Sequence, residues 1–138
     1  MKISNLFSNN LYGKLSSLQN LDLSSNYITG TIPMTIQLLY IIKYISLSSN
    51  SLIGSIPNGL LLIAKYSNLK EIYLNGNRLT GYIPDKLSDI TDLKFTCLSD
   101  NDWYCNNGDI LVDYSEWAKN TDYSSINSCI EHPVFQYS

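Results

Sequence analysis

Leu69-Lys70-Glu71-Ile72-Tyr73-Leu74-Asn75-Gly76-Asn77-Arg78-Leu79-Thr80-Gly81-Tyr82-Ile83-Pro84 is the stretch that decides the fold. Ile72 and Leu74 alternate with Glu71, Tyr73 and Asn75, the period-2 signature of a short strand with one apolar face. Asn77 follows where the strand must turn, and an amide that both donates and accepts can satisfy backbone groups there. Gly81 frees the backbone just before Ile83-Pro84, where proline fixes φ and discourages further ladder pairing.

The unit recurs. Leu18-x-x-Leu21-x-Leu23-x-x-Asn26-x-Ile28-x-Gly30-x-Ile32-Pro33 and Ile42-x-x-Ile45-x-Leu47-x-x-Asn50-x-Leu52-x-Gly54-x-Ile56-Pro57 are two further copies, and a fourth runs from Leu93 through Thr96 and Leu98 to Asn101. The intervals from Asn26 to Asn50 and from Asn77 to Asn101 are equal, and the one from Asn50 to Asn77 is slightly longer. The surplus of that middle interval falls near Ala64-Lys65-Tyr66 and is assigned to a loop. An earlier, defective copy has Asn9-x-Leu11-x-Gly13-x-Leu15, with Asn9 too close to Asn26 for a full interval and Leu15-Ser16 in place of Ile-Pro. A terminal coil that shields the core would look like this, but so would a piece of a longer array, which is the reading preferred here. Repetition on this scale means stacked coils.

Three full copies of an eight-position pattern resemble the leucine-rich repeat family, and Gly-x-Ile-Pro resembles its plant-type subclass, the repeats of receptor-like kinase ectodomains and polygalacturonase-inhibiting proteins. The resemblance covers about residues 6–101. It implies an α/β fold: a right-handed solenoid with a short-stranded parallel sheet on the concave face and a 3₁₀ or irregular convex side. It also implies a binding role. Within that frame Asn26, Asn50, Asn77 and Asn101 are structural residues that stack as a buried ladder. Ile36, Leu39 and Ile42, like Leu87, Ile90 and Leu93, recur every three residues and fit a convex helical turn.

After Asn101 the composition changes, which divides the chain into repeats over 1–101 and a capping region over 102–138. Ile110, Leu111, Tyr114, Trp117 and Ala118 have helical spacing, with Asp109 as the cap. This is similar to the small helical C-terminal cap of extracellular members, which is closed by disulfides. The resemblance pairs Cys105 with Cys129, although Asn107 stands where a further cysteine is common. A reduced Cys105 packed as a small hydrophobe is the competing reading. Cys97, the third cysteine, alternates onto the concave surface as an accessible leftover thiol.

Strand alternation presents three columns on that face: Asn20, Tyr44, Glu71 and Phe95; Asp22, Ser46, Tyr73 and Cys97; and Ser24, Ser48, Asn75 and Ser99. Asn20, Asp22, Tyr44, Glu71, Tyr73, Asn75 and Phe95 are the expected ligand contacts, the aromatics as anchors because they dominate binding hot spots. Lys43, Lys70 and Lys94 form a basic row along one edge, able to steer an acidic ligand. A patch of roughly 20 by 16 Å is well below the roughly 800 Å² per partner of a standard interface. Weak binding, or binding shared with further repeats, is expected of a monomer.

Composition removes other functions. The chain has 138 residues and net charge −3; residues 1–99 carry eight Lys/Arg against five Asp/Glu, and residues 100–138 one against seven. No Lys/Arg patch suits a phosphate backbone, so nucleic acid is not expected as a partner. The one histidine, His132, leaves little for triads or metal sites. Asp109, Asp113 and Glu116 read as a solvated helix face, Asp100 and Asp102 lack the rest of a calcium loop, and Asn75-Gly76-Asn77 is no phosphate cradle. No metal and no cofactor are expected, and no segment approaches the roughly 20 apolar residues of a membrane span. The sequence therefore reads as a non-enzymatic module that recognises a protein, peptide or polysaccharide. A purely structural part of a larger receptor-like ectodomain is the first alternative, and an enzyme acting on polysaccharide is the weaker one. The repeats and cap point outside the cell or to its surface. Residues 1–10 do not read as a secretory leader, so the chain either stays inside or lacks its front, and an accessible thiol at Cys97 with no Asn-x-Ser/Thr site among 15 asparagines argues mildly against secretion, with the cytoplasm as the alternative.

Overall fold

The computed structural model describes residues 15–84 and 93–103, and the backbone of 121–122. The copy around Asn9, the turn at Leu87 and Ile90, the helix after Asp109 and the Cys105–Cys129 pair lie outside the described residues.

Four strands of three residues, β1 (Asn20–Asp22), β3 (Tyr44–Ser46), β5 (Glu71–Tyr73) and β7 (Phe95–Cys97), pair in parallel in chain order, and β8 (Thr121–Asp122) adds a fifth beside β7. Their register sets Asn20, Tyr44, Glu71 and Phe95 in one row and Asp22, Ser46, Tyr73 and Cys97 in another. Between these rows Leu21, Ile45, Ile72 and Thr96 point inward. Ile45, Ile72, Leu47 and Leu74 are completely or almost completely buried, because each coil covers the apolar face of its neighbour. Thr96 takes an isoleucine position, and its buried hydroxyl has no partner.

A second parallel sheet, β2 (Thr29–Thr31), β4 (Ser51–Gly54) and β6 (Arg78–Leu79), follows the first in each coil. The apolar alternation in the sequence marks only the first strand of each coil, and this sheet adds a second one before each Ile-Pro pair. The prolines stand beyond these strands, so every amide the ladder needs is present: Ser51 N–H donates to Ile28 O at 2.9 Å and Thr80 N–H to Gly54 O at 2.8 Å. Gly54, at φ +80°, lies so close to the preceding coil that a Cβ would come 2.9 Å from Thr31 Cγ2.

On the convex side, η1 (Met34–Leu38) is a 3₁₀ helix and α1 (Asn58–Tyr66) an α-helix of nine residues. Ile36, Leu39 and Ile42 are all fully buried. The surplus Ala64-Lys65-Tyr66 belongs to α1 and not to a loop. Leu60, Leu61, Ile63 and Ala64 bury one helical face, and with no Gly or Pro from Leu60 to Tyr66 nothing stops the helix before it has used the extra residues.

The coils are joined by asparagine. Asn77 Oδ1 accepts Leu52 N–H at 3.0 Å, while its Nδ2 donates to Leu47 O at 2.9 Å in the coil before and to Leu74 O at 3.0 Å in its own. Asn50 repeats this with Ile28 N–H at 3.1 Å, Leu23 O at 2.8 Å and Leu47 O at 3.1 Å, and Asn101 with Leu79 N–H at 3.0 Å and Leu74 O at 2.9 Å. Burial is uneven: Asn77 is 8% exposed, Asn50 and Asn101 are half-buried, and Asn26 is exposed, bonding Leu23 O and Ser24 O of its own coil. The residue before three of these asparagines, Ser25, Ser49 or Asp100, and Gly76 before Asn77, has positive φ, which turns each strand so that the amide can face its neighbour.

Asn77→Ala leaves buried backbone groups unsatisfied at about 1–3 kcal/mol each, whereas Asn26→Ala removes contacts that water can replace. A large fall in the urea midpoint is expected for the first and a small one for the second. Thr96→Val deletes an unpartnered buried hydroxyl and should raise the midpoint.

Candidate recognition site on the concave sheet

Side chains two residues apart on one strand share a face, and within each coil they pair with each other. Asp22 Oδ1 accepts Ser24 Oγ–H at 2.6 Å and Ser24 N–H at 3.0 Å. The Ser24 hydroxyl, then its amide, hold the Asp22 carboxyl below the usual carboxylate range, so this exposed end of the sheet keeps its charge. In the next coil Ser46 Oγ and Ser48 Oγ are 3.2 Å apart, and in the last Cys97 Sγ and Ser99 Oγ are 3.8 Å apart.

The third coil departs from this pattern. Tyr73 turns back towards Glu71 instead of forward to Asn75, and its hydroxyl donates to Glu71 Oε2 at 2.7 Å. Its ring then stands between the rings of Tyr44 and Phe95, at centroid distances of 5.5 and 5.2 Å and interplanar angles of 46° and 29°. Both separations are those of attractive aromatic pairs. Three strands thus carry one slab of three half-buried rings. Hydrogen bonding to the Glu71 carboxylate, reinforced by burial, pushes the Tyr73 phenol up to about 12. Tyr73 is a neutral donor at every physiological pH, and its donation leaves Glu71 with an unused carboxylate oxygen. Asn75, deprived of a neighbour to turn to, has a buried Oδ1 without a partner.

Tyr44, Glu71, Tyr73 and Phe95 come together in this slab. Asn20 and Asp22 stand two strands away from Tyr73 at the other end of the sheet, and Asn75 continues the Glu71–Tyr73 row towards the turn. Cys97 shares the Tyr73 row but is only 8% exposed, which corrects the expectation of an accessible thiol: Asp122 of β8 pairs beside it, so Cys97 is not at the sheet edge. Sequence reasoning did not find the Tyr73–Glu71 bond or the ring contacts, although Tyr44, Tyr73 and Phe95 on successive strands signal them. Among the described residues no cluster of His, Cys, Asp and Glu could hold a metal ion, and no helix is long and apolar enough to cross a membrane.

Comparison with known proteins agrees with this geometry. The Leucine Rich Repeat family model matches residues 17–39, 42–61 and 68–90. The chain is 38% identical over 73 residues to Receptor-like protein 19 of Arabidopsis thaliana, an alignment that covers 51% of this chain and 7% of that protein. The solved plant peptide hormone receptor RGFR1 in complex with RGF2 is 37% identical with a TM-score of 0.59, over 64% of this chain and 14% of the receptor chain. The ectodomain of the Arabidopsis receptor kinase HAESA, solved in complex with an N-terminal extended IDA peptide hormone ligand, is 36% identical with a TM-score of 0.58, over 66% of this chain and 15% of that one. The matched region therefore spans less than a sixth of each of these relatives. Four strands in register, an asparagine at each turn and a matching family model agree: the chain belongs to the leucine-rich repeat family, in its plant-type form.

Proposed function

We propose that the chain is a non-enzymatic recognition module at the cell surface or outside the cell, and that it binds a peptide or protein segment across the concave sheet. The slab of Tyr44, Tyr73 and Phe95 is the observation that carries this reading. Three half-buried rings packed against one another on a regular sheet offer a stiff apolar platform that loses little side-chain entropy on binding. Glu71 is held beside the slab by Tyr73 and can accept a hydrogen bond or meet a positive group; Asn20 and Asp22 lie along the same rows, and Asn75 in the next row, as polar contacts. Two of the similar ectodomains are solved with peptide hormones, which favours a peptide over a polysaccharide. The platform is small against a standard interface, so affinity is weak unless other repeats share the ligand.

Two experiments check this reading. The chain is screened against a peptide array and an array of cell-wall oligosaccharides, and each hit is measured on Tyr44→Ala with Tyr73→Ala and on the convex control Asn58→Ala. Peptide hits that weaken by roughly tenfold or more on the aromatic pair alone support the proposal. Loss on the convex control with the aromatic pair unaffected refutes it, as does cleavage of any polysaccharide.

The Tyr73–Glu71 bond is tested by difference titration of tyrosine absorbance between the parent and Tyr73→Phe. The missing transition should lie near 12 and not near the ordinary 10.0, and Glu71→Gln should lower it. Because the folded value is raised, the bond's contribution to stability is whole below pH 10 and is lost as pH rises towards 12.

A further inference from the structure

We propose a second docking surface on the convex side: the groove between the turn after η1 and the C-terminal half of α1, whose occupant is an acidic protein segment bearing a large apolar side chain. The groove, of about 340 Å³, is lined by Leu38, Tyr40, Leu62, Ile63 and Tyr66, with Gln37 and Ser67 as its polar members. Tyr40, Leu62 and Tyr66 are 59, 43 and 74% exposed. These side chains are close in space, and single scattered apolar residues are ordinary where a group of them lining one concavity is not.

The groove exists because this coil is longer than its neighbours and spends the surplus on helix, carrying Leu62 and Tyr66 out beyond η1. Its walls are fixed. At Gly59 a Cβ would stand 2.3 Å from Met34 O, so only glycine lets α1 close on η1. Gly59 N–H meets Met34 Sδ at 3.1 Å. At the far end Ser67 Oγ donates to Ile63 O and accepts Leu69 N–H at 3.1 Å. A preformed groove costs a ligand little ordering.

Charge selects the occupant. From Leu23 to Lys70 the chain has no Asp or Glu and three lysines, Lys43, Lys65 and Lys70. Lys65 Nζ lies 5.2 Å from the centroid of the Tyr66 ring, a ring of the groove lining. Lys43 and Lys70 each follow a groove residue by three positions, and Lys70 N–H donates to Lys43 O at 2.9 Å, which joins the two segments where they leave the groove. Glu71, the next acid, accepts from Tyr73. The chain from Leu23 to Lys70, which builds the groove, thus carries charge of one sign, complementary to an acidic partner and repulsive to a basic one. A neutral saccharide would leave the lysines unused, and a bilayer surface, which shares the charge preference, does not fill a concavity.

The test is phage display of random dodecapeptides on the whole chain, followed by anisotropy of the enriched peptides on variants whose fold is checked by circular dichroism. Peptides that combine Asp or Glu with Trp, Phe, Leu or Ile should be enriched. They should weaken roughly tenfold or more on Leu62→Asn with Tyr66→Ser, weaken on Lys65→Glu and in raised salt, and keep their affinity on Tyr44→Ala with Tyr73→Ala. The last variant separates this groove from the concave platform, so either proposal can fail alone. No enrichment, enriched peptides indifferent to the groove variants, or groove-dependent peptides that are basic or uncharged overturn the proposal. So does groove-dependent binding to phosphatidylcholine–phosphatidylserine vesicles in place of peptides.

Discussion

A side-chain amide that serves two coils at once is the interaction on which the remaining structure rests. Each coil has a concave strand only three residues long and cannot saturate its own turn. Asn50, Asn77 and Asn101 solve this by accepting an amide hydrogen from the preceding coil and donating to carbonyls on both sides. Because the Nδ2 group donates and the Oδ1 accepts in a fixed geometry, each amide holds its strand at one height relative to the last. Hydrophobic burial opposes a slip by one residue, which would turn each apolar face outward, but does not by itself distinguish registers two residues apart.

The recognition surface is a consequence of that register. Tyr44, Glu71 and Phe95 lie in one row because the strands do not slip, and a slip by one residue would turn all of them into the core. Tyr73 leans towards Glu71 while packing against both neighbouring rings, and that hydrogen bond raises its phenol; Asn75, next on the same face, keeps a buried oxygen without a partner. The convex groove arises differently. It depends on a local lengthening that the ladder tolerates, since Asn77 reaches the Asn50 coil through the stack although the chain between them carries the extra turn of α1.

Much of this was legible in the sequence, because alternation and the asparagine period are written in residue types. The inward Ile45 and Ile72, the outward rows and the turn at Asn77 all follow from spacing. The second sheet was not legible: Thr29-Gly30-Thr31 has no apolar residue to mark a strand, and only the neighbouring coil reveals that its amides pair. Ala64-Lys65-Tyr66 looked like an insertion because the alignment counted residues, whereas the helix needed a face, which Ile63 and Ala64 complete. Cys97 was misread for want of β8, a pairing between segments far apart in the chain. The Tyr73–Glu71 bond is a choice between two side chains on one face, and alternation alone cannot make that choice.

The central claim, that the asparagine side chains hold the coils in register, is tested most directly by native-state hydrogen exchange of the Ile28, Leu52 and Leu79 amides. Each donates to an asparagine Oδ1 of the following coil. They should exchange as slowly as the strand amides of Ile45 and Ile72 and through the same global opening. Exchange at the rate of exposed turn amides, with the strand amides still protected, would contradict it.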